Sequence, residues 1–336
     1  MLPKHTHKHD FHHLRDALLG PSPEDSPKLG DLDREAKSMI DVCESAAHGE
    51  FGELRGAAFY NRTWNVIDRY CSLGDGIDSL LGVHTEHDTY DQDRLVLDIV
   101  RIQGLGPLTR PVTGNYGIDV ARTIDGTVWN DLPFLAMDMT EFWVKNCATL
   151  KNAQRLNLAS FFAKLASTRV SKDRICQIGL VLFSSTLEER RGIVGGEPDE
   201  LASHQWISTL DFKQLMPAVC AWIKEAGHVL IQLSEVSWNE CPSKIGQGGH
   251  IFLESEFGKR SPTGFTPWRW MYWLKRLHEI REEAKDANEK ILEEQTTDAI
   301  DRMVKQVHER NSGILRAYQD GGDFLKQDEH LSCLKG

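Results

Sequence analysis

Gln92-Asp93-Arg94-Leu95-Val96 and Trp129-Asn130-Asp131-Leu132-Pro133, the second running on to Glu141-Phe142-Trp143, are the two stretches whose reading decides the fold. Each reads as the start of an amphipathic helix behind a polar cap. Thr89 and Gln92 have the spacing of a capping box, in which a hydroxyl and an amide each satisfy a free backbone donor. The helix beyond them places Leu95, Val96, Ile99 and Val100 on one face and stops at Gly104 and Gly106-Pro107. In the second stretch Asp131 can cap a helix whose first turn tolerates Pro133. Leu132, Leu135, Ala136, Met139, Phe142 and Trp143 then recur at three and four residues as one apolar stripe. Neither stretch names a reaction.

Working outward, the same periodicity continues. Ala36, Met39, Ile40 and Cys43 form one stripe, and Phe59, Trp64, Ile67 and Tyr70 form another. Leu158, Phe161, Phe162 and Leu165 mark a further helix. Residues 175–187 are apolar nearly all round, which predicts a central helix, because the run is long for a strand and has none to pair with. Asp211 opens a helix through Phe212, Leu215, Val219, Trp222 and Leu230, with Pro217 in its early part or at a kink. Trp268 starts a long helix, aromatic first and then dense in Glu and Lys, with a break and a new cap expected at Thr296-Thr297-Asp298. Gly104 to Thr127 and Gly192 to Glu200 read as loops. Residues 1–30 are rich in His and Pro and read as a disordered tail, and 321–336 as a flexible C-terminus. The expected fold is therefore all-α, a single irregular multi-helix domain over residues 31–320.

Composition bounds the function classes. The 336 residues carry a net charge of −11, which argues against general binding to nucleic acid. No apolar run reaches membrane-spanning length, and residues 1–20 lack the apolar core of a secretory signal. Seven cysteines lie scattered without a CxxC pair, as expected of free thiols in a reducing, cytoplasmic setting.

Three blocks carry a resemblance to a family found mainly in filamentous fungi, domain of unknown function 3632. The first is Gln92-Asp93-Arg94-Leu95-Val96 with Ile99 and Ile102. The second is Trp129, Asp131-Leu132-Pro133, Leu135, Glu141 and Trp143, running into Leu156-Asn157-Leu158 and Phe161-Phe162-Ala163-Lys164-Leu165. The third is Gly264-Phe265, Arg269-Trp270, Tyr272-Trp273 and Arg276 ahead of Glu279-Ile280. The likeness covers roughly residues 55 to 285, and departs from the family pattern at His250 to Pro262, where a shorter Gly-rich lead-in containing Trp is expected. It implies an all-helical intracellular fold and a setting beside fungal secondary-metabolite pathways. It implies no activity.

Candidate chemistry is sparse. His5, His7, His9, His12 and His13 have the spacing for Zn or Cu but lie in the tail, and His84, Glu86, His87 and Asp88 match neither HExxH nor HxxEH, so no metal site is expected. There is no GxSxG elbow and no P-loop, and Gly246-Gln247-Gly248-Gly249 follows no strand. Cys220 and Cys241 would be reactive only if a His and a helix N-terminus converged on them. Asp138 and Glu141 lie off the apolar stripe, on a solvated face. Asp93 and Arg94 open a helix where an acid favours the dipole, and Arg94 can tie helices together through a carboxylate; a buried Asp–Arg pair lining a cleft would instead mark a site.

One local contrast stands apart. Gly258 to His278 holds Lys259, Arg260, Arg269, Lys275 and Arg276 and no acid, interleaved with Phe265, Trp268, Trp270, Tyr272 and Trp273. Cations beside aromatic faces suit phosphate, nucleotide or acidic partners; the competing reading is an aromatic face packed in the core with its basic residues reaching outward. The candidate binding residues are thus Asp93, Arg94, Asp131, Arg269, Trp270, Trp273 and Arg276. The leading expectation is a non-catalytic helical protein of a fungal secondary-metabolite pathway that binds a protein partner or small molecule, without a cofactor, through Gly258–His278 and the charged helix after it. The alternative is an enzyme acting on an apolar substrate in an aromatic-lined cleft, with Asp93, Asp131 or Glu141 as acid or base. Oligomeric state is left open.

Overall fold

The computed structural model describes residues 135–193 and 206–335, together with Asp93, Val96, Leu97, Val100, Gln103, Asp131 and the strand residues between 109 and 127. The expected tail, the stripes at 36–43 and 59–70, the His84 cluster, the capping box at Thr89, Arg94 and most of the Gly192–Glu200 loop lie outside the described residues. The protein is all-α. Its chain divides into two compact units, residues 1–138 and Met139–Gly336.

In the first unit Asp93, Val96, Leu97, Val100 and Gln103 are helical, Val96 buried and Asp93 exposed. Two short hairpins replace the expected loop. β1 (Thr109–Pro111) pairs antiparallel with β2 (Ile118–Val120), Thr109 opposite Val120, and β3 (Arg122–Thr123) pairs with β4 (Gly126–Thr127). The β-branched residues Thr109, Ile118, Val120 and Thr123, set between glycines, favour extended pairing over an open loop.

Eleven helices follow among the described residues: α1 (Leu135–Asn146), α2 (Asn152–Ser167), α3 (Cys176–Leu187), α4 (Phe212–Glu235), the short α5 (Ser243–Gly246), α6 (His250–Glu254) and α7 (Glu256–Arg260), then α8 (Pro267–Asp286), α9 (Lys290–Glu309), α10 (Gly313–Asp320) and α11 (Asp323–Gln327). The division into units falls inside α1, where Leu135, Ala136, Met139 and Trp143 of the expected stripe are buried. The cap expected of Asp131 depends on residues 132–134, outside the described set; Asp131 itself is half-buried in a turn.

The core of the second unit is built on α4, which packs against α2, α3, α8 and α9. It begins with a capping box: Asp211 accepts from the Gln214 backbone at 2.8 Å, and the Gln214 side chain accepts from the Asp211 backbone at 3.0 Å. Pro217 falls in its second turn. Phe212, Leu215, Trp222, Ile223, Val229 and Leu230 are buried along it, and Trp222 lies so close to α3 that a Cβ on Gly179 would stand 2.8 Å from the indole. As expected, α3 is apolar nearly all round and lies inside, with Ile178, Leu180, Leu182, Phe183 and Leu187 buried.

Two expected boundaries move. The break at Thr296-Thr297-Asp298 does not occur, and α9 runs through it. The hydroxyl of Thr296 donates to the Leu292 carbonyl at 2.8 Å and that of Thr297 to the Glu293 carbonyl at 2.7 Å, so both are satisfied within the helix instead of capping a new one. The turn between α8 and α9 comes earlier, at Asn288, which takes a left-handed conformation with φ 58°. The C-terminus, expected to be flexible from 321, instead forms α11 and a 3-10 turn (Glu329–Leu334) with Leu325, Leu331 and Leu334 buried. Its leucines recur too sparsely to register as a stripe, yet each has an apolar seat.

Candidate functional site

Thr266 and Pro267 set the start of α8: the Thr266 hydroxyl accepts from the Arg269 backbone at 3.1 Å, and Pro267 occupies the first turn, where no N–H is needed. Arg269 and Trp273, one turn apart, therefore share a face, and that face points inward. Both meet Glu188, the residue that ends α3.

The contact is closed on every side. Glu188 Oε1 accepts from Arg269 Nε at 2.6 Å and from the Trp273 indole at 2.6 Å, while Oε2 accepts from Arg269 Nη2 at 2.9 Å and from the Gly249 backbone at 2.7 Å. The remaining guanidinium hydrogens go to the carbonyls of Gly246 at 2.7 Å, Gly264 at 2.9 Å and Gln247 at 3.3 Å. All five donors of Arg269 are thus used, and both charged side chains are fully buried. Phe252 and Trp273 present ring faces to the guanidinium at 5.4 and 5.7 Å. A carboxylate at the C-terminal end of a helix is electrostatically disfavoured, and here Arg269 and the backbone N–H of Gly249 offset that cost.

The Gly246–Gly249 stretch, which superficially looks like a phosphate loop, does hold an anion, but that anion is Glu188. Gly249 is required by space: a Cβ there would stand 2.7 Å from the Glu188 carbonyl oxygen. Next to it Glu189 accepts from the His250 backbone at 2.9 Å, so consecutive acids cap the start of α6 from across the fold. Gly264 adopts φ +71°, which lets its carbonyl reach Arg269.

The other expected site residues are placed differently. Trp270 is buried in the core beside Met271 and Leu274. Arg276 lies two turns beyond Arg269, pairs with Glu279 at 2.7 Å and Glu283 at 3.1 Å, and covers the Phe212 ring at 5.8 Å. Asp93 and Asp131 belong to the first unit, and Glu141 is an exposed partner of Lys145. Within the run from Gly258 to His278, Arg269, Trp270, Tyr272 and Trp273 are therefore buried in the core, while Lys259 and Arg260 are exposed and Trp268, Lys275 and Arg276 are half-buried. The thiols are not activated: burial pushes Cys220 up to about 12 and raises Cys241. Among the described residues no group of three or more His, Cys, Asp or Glu side chains is placed to hold a metal ion, and no helix is long and apolar enough to cross a membrane.

Glu188 escapes sequence reading because it follows an apolar run and precedes another acid, as a solvated helix end does. The one signal for it is indirect. An arginine inside an aromatic helix face, in a segment without acids, needs a carboxylate from elsewhere, and Glu188-Glu189 is an acidic pair standing directly behind a buried helix.

Chemically the cluster joins the end of α3, the turn before α6 and the first turns of α8. With every donor and acceptor engaged, it has no group left to meet a substrate or exchange a proton with one. The open features lie elsewhere. One groove of about 520 Å3 is lined by Lys290, Glu293, Glu294, Thr297, Asp298 and Asp301 along one face of α9. A pocket of about 440 Å3 is lined by Tyr318, Gln319, Lys326, Leu334 and Lys335.

Comparison with known proteins agrees with the resemblance read from the three blocks. Residues 81–277 match the family described as "Protein of unknown function (DUF3632)". The chain is 50% identical to "Oxopyrrolidines biosynthesis cluster protein G" of Penicillium oxalicum, over 96% of this chain and 94% of that protein. No solved structure matches it. With a family match over most of its length and a half-identical relative along nearly all of it, the chain belongs to the DUF3632 family.

Proposed function

We propose that this chain is a non-catalytic component of a fungal secondary-metabolite pathway that works by binding a protein partner. The pathway setting is carried over from the half-identical Penicillium oxalicum relative, whose name places it in a biosynthesis cluster. One observation carries the contact surface. On α9 the carboxylates of Glu293, Glu294, Asp298 and Asp301 line a single open groove, and Ile291 beside them is 68% exposed. A large apolar side chain next to a row of acids suits a basic segment with one apolar anchor. The inward burial of Arg269, Trp270 and Trp273 supports the same choice, since it takes those three side chains out of a partner's reach.

The test is affinity purification of the tagged chain from its fungal host, beside a variant carrying Glu293→Lys, Glu294→Lys and Asp301→Lys. The expected result is that the chain retains a protein encoded by a neighbouring pathway gene and that the charge-reversed variant loses it while unfolding at a similar urea midpoint. Turnover of a pathway intermediate by the purified chain alone would overturn the reading in favour of an enzyme.

A further inference from the structure

His278 on α8 uses both nitrogens of a neutral ring. Its Nδ1 lies 3.2 Å from Arg281 Nη2, and because a guanidinium only donates, Nδ1 must accept. The ring proton therefore sits on Nε2, which lies 3.9 Å from Cys333 Sγ. The Cys333 thiol in turn donates to the His330 carbonyl at 3.6 Å, which leaves its sulfur free to accept from the imidazole. Arg281, His278, Cys333 and His330 thus form a donor-to-acceptor chain from α8 to the 3-10 turn Glu329–Leu334, and it is unbroken only while the imidazole is neutral.

A second proton on His278 can go only to Nδ1, where it would face the Arg281 donor. The charged ring would also lie against His330, whose imidazole stacks on it with centroids 5.7 Å apart and planes 27° apart. Asp328, on the segment leading into the turn, favours the cation, but it is held by Lys275 at 2.8 Å. Glu282 and Glu329 lie 3.6 and 4.0 Å from His330 rather than beside His278. From α9, His308 Nε2 donates to the Cys333 carbonyl at 3.0 Å, a bond that either charge state of His308 can make. His278 is therefore the contact that acid breaks. Burial, with Arg281 and His330 adding to it, holds its pKa at about 4 while the turn is docked, against an ordinary 6.5 once it is free. The released form thus takes up the proton first, and falling pH favours it.

We propose that the turn Glu329–Leu334 is an acid-released latch: protonation of His278 frees it from α8 while the helices beneath stay folded. Release uncovers the Cys333 thiol, half-buried when docked, and the apolar seats of Leu331 and Leu334. Such an opening is local, because it breaks the contacts of one turn and leaves the packing around α4 intact. The latch is independent of the acidic groove on α9.

The experiment is hydrogen exchange read by mass spectrometry on the full chain at pH 7 and at pH 5. Each rate is divided by that of the same segment as a free peptide at the same pH, which cancels the intrinsic pH dependence of exchange. Residues 328–335 are expected to lose about tenfold or more in protection between the two pH values, while α4 keeps its own. His278→Gln, which cannot take up a proton, should lose less than about threefold over the same interval. Arg281→Gln removes the donor facing Nδ1 and should shrink the loss as well, which decides the matter even where His278→Gln leaves the turn open at pH 7. Equal protection of residues 328–335 at both pH values, a loss shared by α4, or a loss in Arg281→Gln as large as in the parent would overturn the proposal.

Discussion

Glu188 shows how much of this fold depends on one carboxylate. It accepts four hydrogen bonds, two of them from Arg269, and neither side chain of the pair reaches solvent. Glu188→Gln keeps the shape and removes the charge, leaving Arg269 buried without a counter-ion. Its expected cost is about 3–5 kcal/mol, read from urea unfolding. The pair Glu188→Gln with Arg269→Met should recover part of that loss, since the stranded charge is then gone as well. A single variant as stable as the parent would mean that the carboxylate is not the hub the geometry makes it.

At the scale of elements, the C-terminal turn is held to α8 by titratable groups. The imidazoles of His278 and His330 stack with centroids 5.7 Å apart. Arg281 lies 3.2 Å from His278 Nδ1, Cys333 Sγ lies 3.9 Å from Nε2, and Lys275 pairs with Asp328. Burial, with Arg281 and His330 adding to it, depresses His278 from the ordinary 6.5 to about 4. Above about 6.5 the ring is neutral whether folded or unfolded, and its contribution is fully present. As pH falls from about 6.5 toward 4 the unfolded chain takes up a proton that the folded one resists, and stability drops. The urea midpoint of the parent should therefore decline across this window, and more steeply than that of His278→Gln. Parallel curves would assign the decline to other groups.

At the scale of the whole molecule, the last residues complete the second unit. Arg260 lies 4.6 Å from the Trp268 ring and 4.5 Å from the Phe324 ring, and donates to the Gly321 carbonyl at 3.1 Å, pinning the start of α11, after which Leu325, Leu331 and Leu334 are buried. Burial of each such leucine is worth about 1.5–3 kcal/mol. A chain ending at Gly322 should keep its helical circular dichroism but unfold at a clearly lower urea midpoint with a smaller denaturant slope, because less surface is buried. An unchanged midpoint would mean that the segment is not docked.

The helical class, the family, the central position of α3 and the capped start of α4 were legible in the sequence, because they follow from local rules. An apolar period of three to four residues and a capping box act over a single turn, and no distant residue is needed to read them. The continuity of α9 through Thr296 and the pairing of β1 with β2 were misread because the same residues serve two local structures, and packing chooses between them. The role of Arg269 lay further out of reach. Its charge and aromatic company fit an exposed binding surface as well as a buried pair, and the difference rests on Glu188, 81 residues away in the chain. Periodicity alone determined which faces are apolar; only the tertiary structure decided which charges they enclose, because a buried ion needs a partner and that partner comes from wherever the fold brings one.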